Sequence, residues 1–193
     1  MESRTILDLD KTDLSKFDNG WYSHGASASK RFLWFFVNGL FFINPLNPLN
    51  GLKIWLLRIF GAKIGKGLII KPNVNIKHPW YLTIGNNVWI GEKVWIDNLA
   101  PVIVGDNVSI SQGALLLTGS HNYKIISFDL MVKDIRLEDG VWIGAKAVVC
   151  PGVTCHTHSI LTVGSIATKD LDPYWIYQGV PAEKKRQRVI SKD

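Results

Sequence analysis

From residue 64 onward, one large aliphatic side chain recurs every six residues. The marks fall on Ile64, Ile70 and Ile76, then after a two-residue slip on Ile84, Ile90 and Ile96. A second such slip leads to Val104, Ile110 and Leu116. The rhythm then lapses and resumes on Leu137, Ile143, Val149, Cys155 and Leu161. Ile, Leu and Val make up 56 of the 193 residues yet hold thirteen of these fourteen marks. A second column, four residues after each mark, is small or β-branched: Val74, Val88, Val94, Ala100, Val108, Ala114, Ser120, Val141, Ala147, Val153, Ser159 and Ser165. Leu68 and Trp80 are its exceptions. A period of six matches neither the 3.6 of a helix nor a long two-residue alternation. It predicts an all-β solenoid of very short strands between corners, with one large residue pointing inward per corner and a small one letting the walls close. Each coil then buries its face on the next, and every buried Ile or Leu contributes about 1.5–3 kcal/mol. A β-sandwich would not keep two columns in phase for so long.

The rhythm divides the chain. Residues 61–172 form the solenoid, 1–60 an N-terminal extension, and 173–193 a turn with a basic tail. Inside the solenoid the lapse "TGSHNYKIISFDLMVKD" interrupts a regular wall, so a loop at about 118–136 must project, and its one histidine is His121. In the extension, Ser27–Phe42 and Leu49–Lys63 read as short helices, the second with Leu52, Trp55, Leu56, Ile59 and Phe60 on one side. Such helices would cap the first coil, whose strand edges would otherwise aggregate. The alternative is peripheral membrane contact through residues 30–60, where Lys30, Arg31, Lys53 and Arg58 flank aromatic residues. The apolar run from Phe32 to Ile43 would make a helix of roughly 18 Å, short of the ~30 Å hydrocarbon core of a bilayer.

Composition changes this picture only modestly. A hydrophobic content of 47% with 20% charged residues belongs to a folded chain. The net charge of +6 fits a solvated surface or attraction to something anionic: a phosphorylated cofactor, a nucleotide sugar or a membrane face. Nucleic acid is not expected, because the basic residues are scattered and no recognition motif accompanies them. Cys150 and Cys155 fit neither a CxxC pair nor a disulfide framework, which points to reduced thiols in the cytoplasm. The acidic start (Glu2, Asp8, Asp10, Asp13) is unlike a signal peptide.

The stretches "GNNVWIGEKVWID", "GDNVSISQGALLL" and "GVWIGAKAVVCPGVTC", followed by "TVGSIATKDL" and "YQGVPAEK", resemble the hexapeptide-repeat acetyltransferases. Within that superfamily "VWIDNLAPV", "LTGSHNY" and "FDLMVKDI" are similar to the colanic-acid biosynthesis group and its galactoside, maltose and nodulation-factor O-acetyltransferase relatives. The resemblance implies a left-handed parallel β-helix, a homotrimer with sites between protomers, acetyl-CoA as co-substrate and no metal. It further implies transfer to a sugar hydroxyl in exopolysaccharide or surface-glycan assembly, in the cytoplasm or at the inner face of the membrane. Spacing alone leaves His121 open as a structural loop residue; the "GSHN" context implies a general base. An imidazole suits that task because it titrates near neutral pH.

By the same resemblance Trp142, Ala145, Val163, Thr168 and Lys169 line the cofactor groove, although Trp142 also reads as a ring stacked beneath a coil edge. The charges of Lys169 and Arg186 suit either the CoA phosphates or a solvated surface. Two departures stand out: Val163 replaces a common alanine, and Glu183 puts an acid beside the basic tail. Asp97 and Asn98, just before a slip, read either as a polar groove rim that holds the acceptor or as a corner-forming pair. His156 and His158 raise the rival of a zinc enzyme, with His121 as third ligand. Other rivals are N-acetylation of an amino sugar or xenobiotic amine, and a non-catalytic β-helix scaffold.

Overall fold

The structure is a computed structural model that describes residues 10–192; Glu2 and Asp8 of the acidic start lie outside the described residues. Two- and three-residue strands wind into a left-handed parallel β-helix of about six coils with three flat faces. Face one stacks Lys63–Ile64, Leu82–Ile84, Val102–Val104, Ile135–Leu137 and Thr154–Cys155. Face two stacks Ile69–Ile70, Trp89–Ile90, Ser109–Ile110, Trp142–Ile143 and Ile160–Leu161, and face three Asn75–Ile76, Trp95–Asp97, Leu115–Leu117, Val148–Val149 and Ile166–Ala167. The register puts mark on mark: Ile64 on Ile84, Ile84 on Val104, Val104 on Leu137, Leu137 on Cys155.

Thirteen of the fourteen marks are buried to within 2% of full exclusion, and Ile64, in the first coil, is half-buried. The second column is buried beside them except at Ser120 and at the half-buried Trp80. The two slips and the projecting loop all fall at one corner, between faces three and one. There the chain runs through His78–Tyr81, then Asp97–Pro101, then the finger.

The extension covers the open end of the first coil. Helix α1 (Ala28–Val37), N-capped by Ser27, continues into a wide π turn at Asn38–Phe42, and helix α2 spans Asn50–Ile59. Trp34 buries its ring and donates its indole N–H to the Ile76 carbonyl at 2.8 Å. Asn50 occupies the ladder edge, accepting from the Ile70 N–H and donating to the Leu68 carbonyl. The buried stripe of α2 differs from the one read in sequence. Lys53, Leu56, Leu57 and Phe60 face inward, whereas Trp55 and Ile59 are exposed. Lys53 is therefore no surface cation: its ammonium is buried against the Lys71 carbonyl at 3.1 Å, and desolvation lowers its pKa. At the other end, Trp175–Gln178 joins face two and Glu183–Gln187 pairs antiparallel beside it. The basic segment is an exposed edge strand of a hairpin.

Candidate active site

The corner between faces three and one is built as a continuous ridge. Asn98 bridges to the coil before it, accepting from the His78 N–H at 2.8 Å and donating to the His78 carbonyl at 2.6 Å. Thr118 donates to the Asp97 carbonyl at 3.0 Å and accepts from the Ala100 N–H at 3.1 Å. From Thr118 the chain leaves the wall as a hairpin, Gly119–His121 against Leu130–Val132. His121 stacks on the Phe128 ring at 4.6 Å with 7° between planes, and its Nδ1 lies 2.9 Å from the Phe128 carbonyl. A carbonyl oxygen only accepts, so Nδ1 carries the hydrogen, and the Nε2 lone pair of the neutral ring is left free to take a proton. Phe128 reaches this geometry with φ at 53°, a left-handed conformation uncommon for a bulky residue.

A second brace escaped the sequence reading. Residues 13–25 run along the same corner toward the finger. The Asp13 N–H donates to the Ile126 carbonyl, the Asp18 N–H to the Asp129 carboxylate, and the Tyr22 hydroxyl to the Leu99 carbonyl. The Phe17 ring lies 5.8 Å from the His121 ring.

The residues expected to bind the cofactor do not form one cluster. Trp142, Ala145 and Val163 line a groove of about 330 Å³ at the corner between faces two and three, with Ser111, Gln112 and Thr162. The Trp142 indole is half-exposed there and donates to the Ser111 hydroxyl at 2.9 Å. Gly144 shapes the groove floor: a Cβ at this position would stand 2.5 Å from the Val163 nitrogen and 2.6 Å from the Thr162 carbonyl carbon. Both are backbone atoms of the next coil and cannot swing aside. Gly144→Ala is expected to lower stability by about 1–3 kcal/mol, read as a drop in the urea midpoint. Thr168 and Lys169 lie instead at the corner of faces three and one, following Ile166–Ala167, and Arg186 is exposed on the edge strand. Face three separates the groove from the His121 corner.

The polar rim is corrected. Asn98 is fully buried with its amide spent on the His78 backbone, so it stitches coils and cannot hold a sugar. Asp97 is nearly buried, and its carboxylate meets the Lys77 ammonium at 2.8 Å, an ionic contact more than a well-aimed hydrogen bond. His156 bonds Glu138, and His158 stacks on Tyr174, at the corner between faces one and two. His121 is at another corner, and among the described residues no group of three or more His, Cys, Asp or Glu could hold a metal. Cys155 is fully buried, and desolvation holds its thiol far above the ordinary value, so it stays protonated and inert.

Burial, with Lys77 and His24 nearby, pushes the His78 imidazole down from 6.5 to about 4. Between those values the unfolded chain takes up a proton that the folded one refuses, so stability falls as pH drops through that window. Urea midpoints measured from pH 7 to pH 4 are expected to decline accordingly, and His78→Phe, which cannot titrate, to flatten that part of the decline.

No family model matches the chain. Over 177 residues it is 34% identical to the Escherichia coli protein named as colanic acid biosynthesis acetyltransferase WcaF, spanning 92% of this chain and 97% of that one. A crystal structure of a hexapeptide-repeat acetyltransferase from Vibrio cholerae superposes with a TM-score of 0.76 at 26% identity, over 84% of this chain and 94% of its own. The chain belongs to the hexapeptide-repeat acetyltransferases. Another member, the galactoside O-acetyltransferase of Escherichia coli, is 30% identical over 140 residues, covering 68% of this chain and 66% of that protein. A hexapeptide-repeat acetyltransferase from Vibrio cholerae O1 biovar eltor, solved in complex with acetyl coenzyme A, gives a TM-score of 0.76 at 25% identity over 86% of this chain and 92% of its own. Left-handed coils, a projecting finger and a groove on another corner are thus the local version of a hexapeptide-repeat acetyltransferase.

Proposed function

We propose that this acetyltransferase moves the acetyl group of acetyl-CoA onto a sugar hydroxyl in surface-glycan assembly. The observation that carries this reading is the His121 ring, held through Nδ1 by the Phe128 carbonyl with Nε2 free on an outstretched finger. The acetyl thioester of the co-substrate supplies the activated acyl group. His121 Nε2 takes the proton of the acceptor hydroxyl as its oxygen bonds to the acyl carbon, and returns it to the departing sulfur. The Phe128 carbonyl stabilises the imidazolium formed between those steps. The pattern of side chains suits the donor: small residues at Ala145 and Gly144 leave the groove open for backbone pairing, and Trp142 offers a flat wall. Lys169 and Arg186, exposed cations toward the C-terminal end, fit the phosphates of the coenzyme.

Groove and base occupy different corners, so one protomer cannot assemble the site, and a homotrimer resolves this. If the finger corner of one copy meets the groove corner of the next, threefold symmetry turns face three toward the axis. The outward positions there are Asn75, Trp95, Asp97, Leu115, Leu117, Val148 and Ile166, a sheet face that is apolar from the third coil onward. Face one presents Lys63, Thr83, Ile103, Arg136 and Thr154, polar at every position but Ile103, and suits solvent. WcaF is named for colanic acid biosynthesis, which supports a glycan acceptor. Release of free CoA, followed over a panel of hydroxyl and amino sugars, tests the reading. Turnover with hydroxyl sugars is expected, and turnover with amino sugars alone would replace it by N-acetylation.

A further inference from the structure

Where faces three and one meet, at the end of the solenoid closed by α1, a cavity of about 540 Å³ has been left unexplained by acetyl transfer. Phe35, Phe36 and Leu40 from the α1 segment form one wall, and Trp80 and Trp95 from the coils form the other. Arg31, Lys77 and His78 also line it. Among the described residues, the buried Nε of Arg31 and Nδ1 of His78 meet no hydrogen-bond partner, and His78 is 93% excluded from solvent at 7% exposure. An apolar trough that holds an unspent guanidinium donor, with the Lys77 ammonium beside it already paired to Asp97, matches a ligand with a hydrocarbon part and an anionic part. Oxygen anions of phosphate are what a guanidinium edge recognises best.

The surroundings select one kind of ligand. Phe32, Leu33, Phe35, Phe36, Leu40 and Ile43 are all exposed on the same segment, beside Lys30 and Arg31, a face with the apolar and cationic character of one that rests on an anionic bilayer. No helix among the described residues is long and apolar enough to cross a membrane. The cavity also shares its corner with the finger. His78 is joined to Asn98, and Asp97 to Thr118, so the coil bearing His78 lies two coils from the root of the His121 hairpin. At about 4.8 Å per coil that is roughly 10 Å, the span of a phosphate link and a sugar ring.

We propose that this cavity holds the phosphate and the first hydrocarbon units of a phosphorylated lipid that carries the acceptor sugar, the α1 face lying on the membrane while the sugar reaches His121. The inference rests on the reading of His121 as the base for a sugar acceptor and names the form in which that sugar arrives.

The test titrates the whole protein with farnesyl diphosphate, following tryptophan fluorescence, beside farnesol, inorganic pyrophosphate and UDP. Farnesyl diphosphate is expected to saturate and to bind tighter than the other three. Arg31→Gln should weaken it roughly tenfold, the loss of one charge-assisted hydrogen bond. Phe36→Ser should weaken farnesyl diphosphate more than pyrophosphate, and melting curves establish that both variants fold. Absence of saturation, equal binding of farnesol, tighter binding of UDP, or native affinity in Arg31→Gln would each overturn the proposal. A second arm compares acetyl transfer to one sugar, free and carried on a polyprenyl diphosphate; a KM at least about tenfold lower for the carried form is expected. The two ideas fail separately. Farnesyl diphosphate binding without acetylation of either sugar upholds the cavity and refutes the sugar acceptor, whereas equal acetylation of both without lipid binding does the reverse.

Discussion

His121→Ala is expected to lower kcat by about 10²–10⁴, the usual contribution of a positioned proton acceptor, and to leave the affinity for acetyl-CoA at its native value. The split follows from the geometry. The imidazole stands on a hairpin outside the wall and makes its bond to Phe128 within that hairpin, so its loss leaves the groove of Trp142, Ala145 and Val163 intact. Rates over an acetyl-CoA series and calorimetric binding of the coenzyme measure the two halves. A variant that transfers acetyl at the native rate would remove the base from the mechanism, and a non-catalytic scaffold would become the better account. Proteolysis or melting data should show the solenoid unchanged, because no buried column residue is touched.

Two inactive variants, mixed, are expected to regain activity. Val163→Trp fills the groove with an indole and His121→Ala removes the base; each alone leaves every site defective. In trimers reassembled from equal amounts, a site that draws its groove from one protomer and its base from the next is intact in roughly a quarter of cases. Recovery near that fraction of native activity, after denaturation and joint refolding, is the expected result. If groove and base served each other within one chain, mixing would recover nothing. Leu115→Lys sharpens the same point: a charge in the centre of apolar face three should yield monomers by sedimentation, without transfer activity and with the coils intact by circular dichroism.

The solenoid was legible because its signal repeats. Ile96 and Leu116 are inward marks one coil apart, and the structure registers them directly; each coil restates the rule, so slips and the finger stand out as breaks in it. Single-use features left no such trace. Asn98 follows an aspartate before a slip and reads as a polar rim, yet its amide replaces ladder hydrogen bonds that the slip would have left open. Lys53 reads as a surface cation on α2 and is instead the plug over the Lys71 carbonyl. The brace at residues 13–25 has neither period nor motif, and its contacts to the finger join residues about a hundred apart in the chain, as in the bond from Asp18 to Asp129. The carbonyl that orients His121 belongs to the main chain of Phe128, so no side-chain pattern could have announced it.

Every departure from the six-residue rhythm within the coils is gathered at one edge of the prism, where faces three and one meet. The other two edges are locked by tight turns in contact with the coil above and below, as Gly144 is with Val163. Length can therefore be added or removed at that single edge without shifting the pairing of any strand. A descendant of this chain could exchange its finger while the groove of Trp142, Ala145 and Val163 on the opposite side of face three stays as it is.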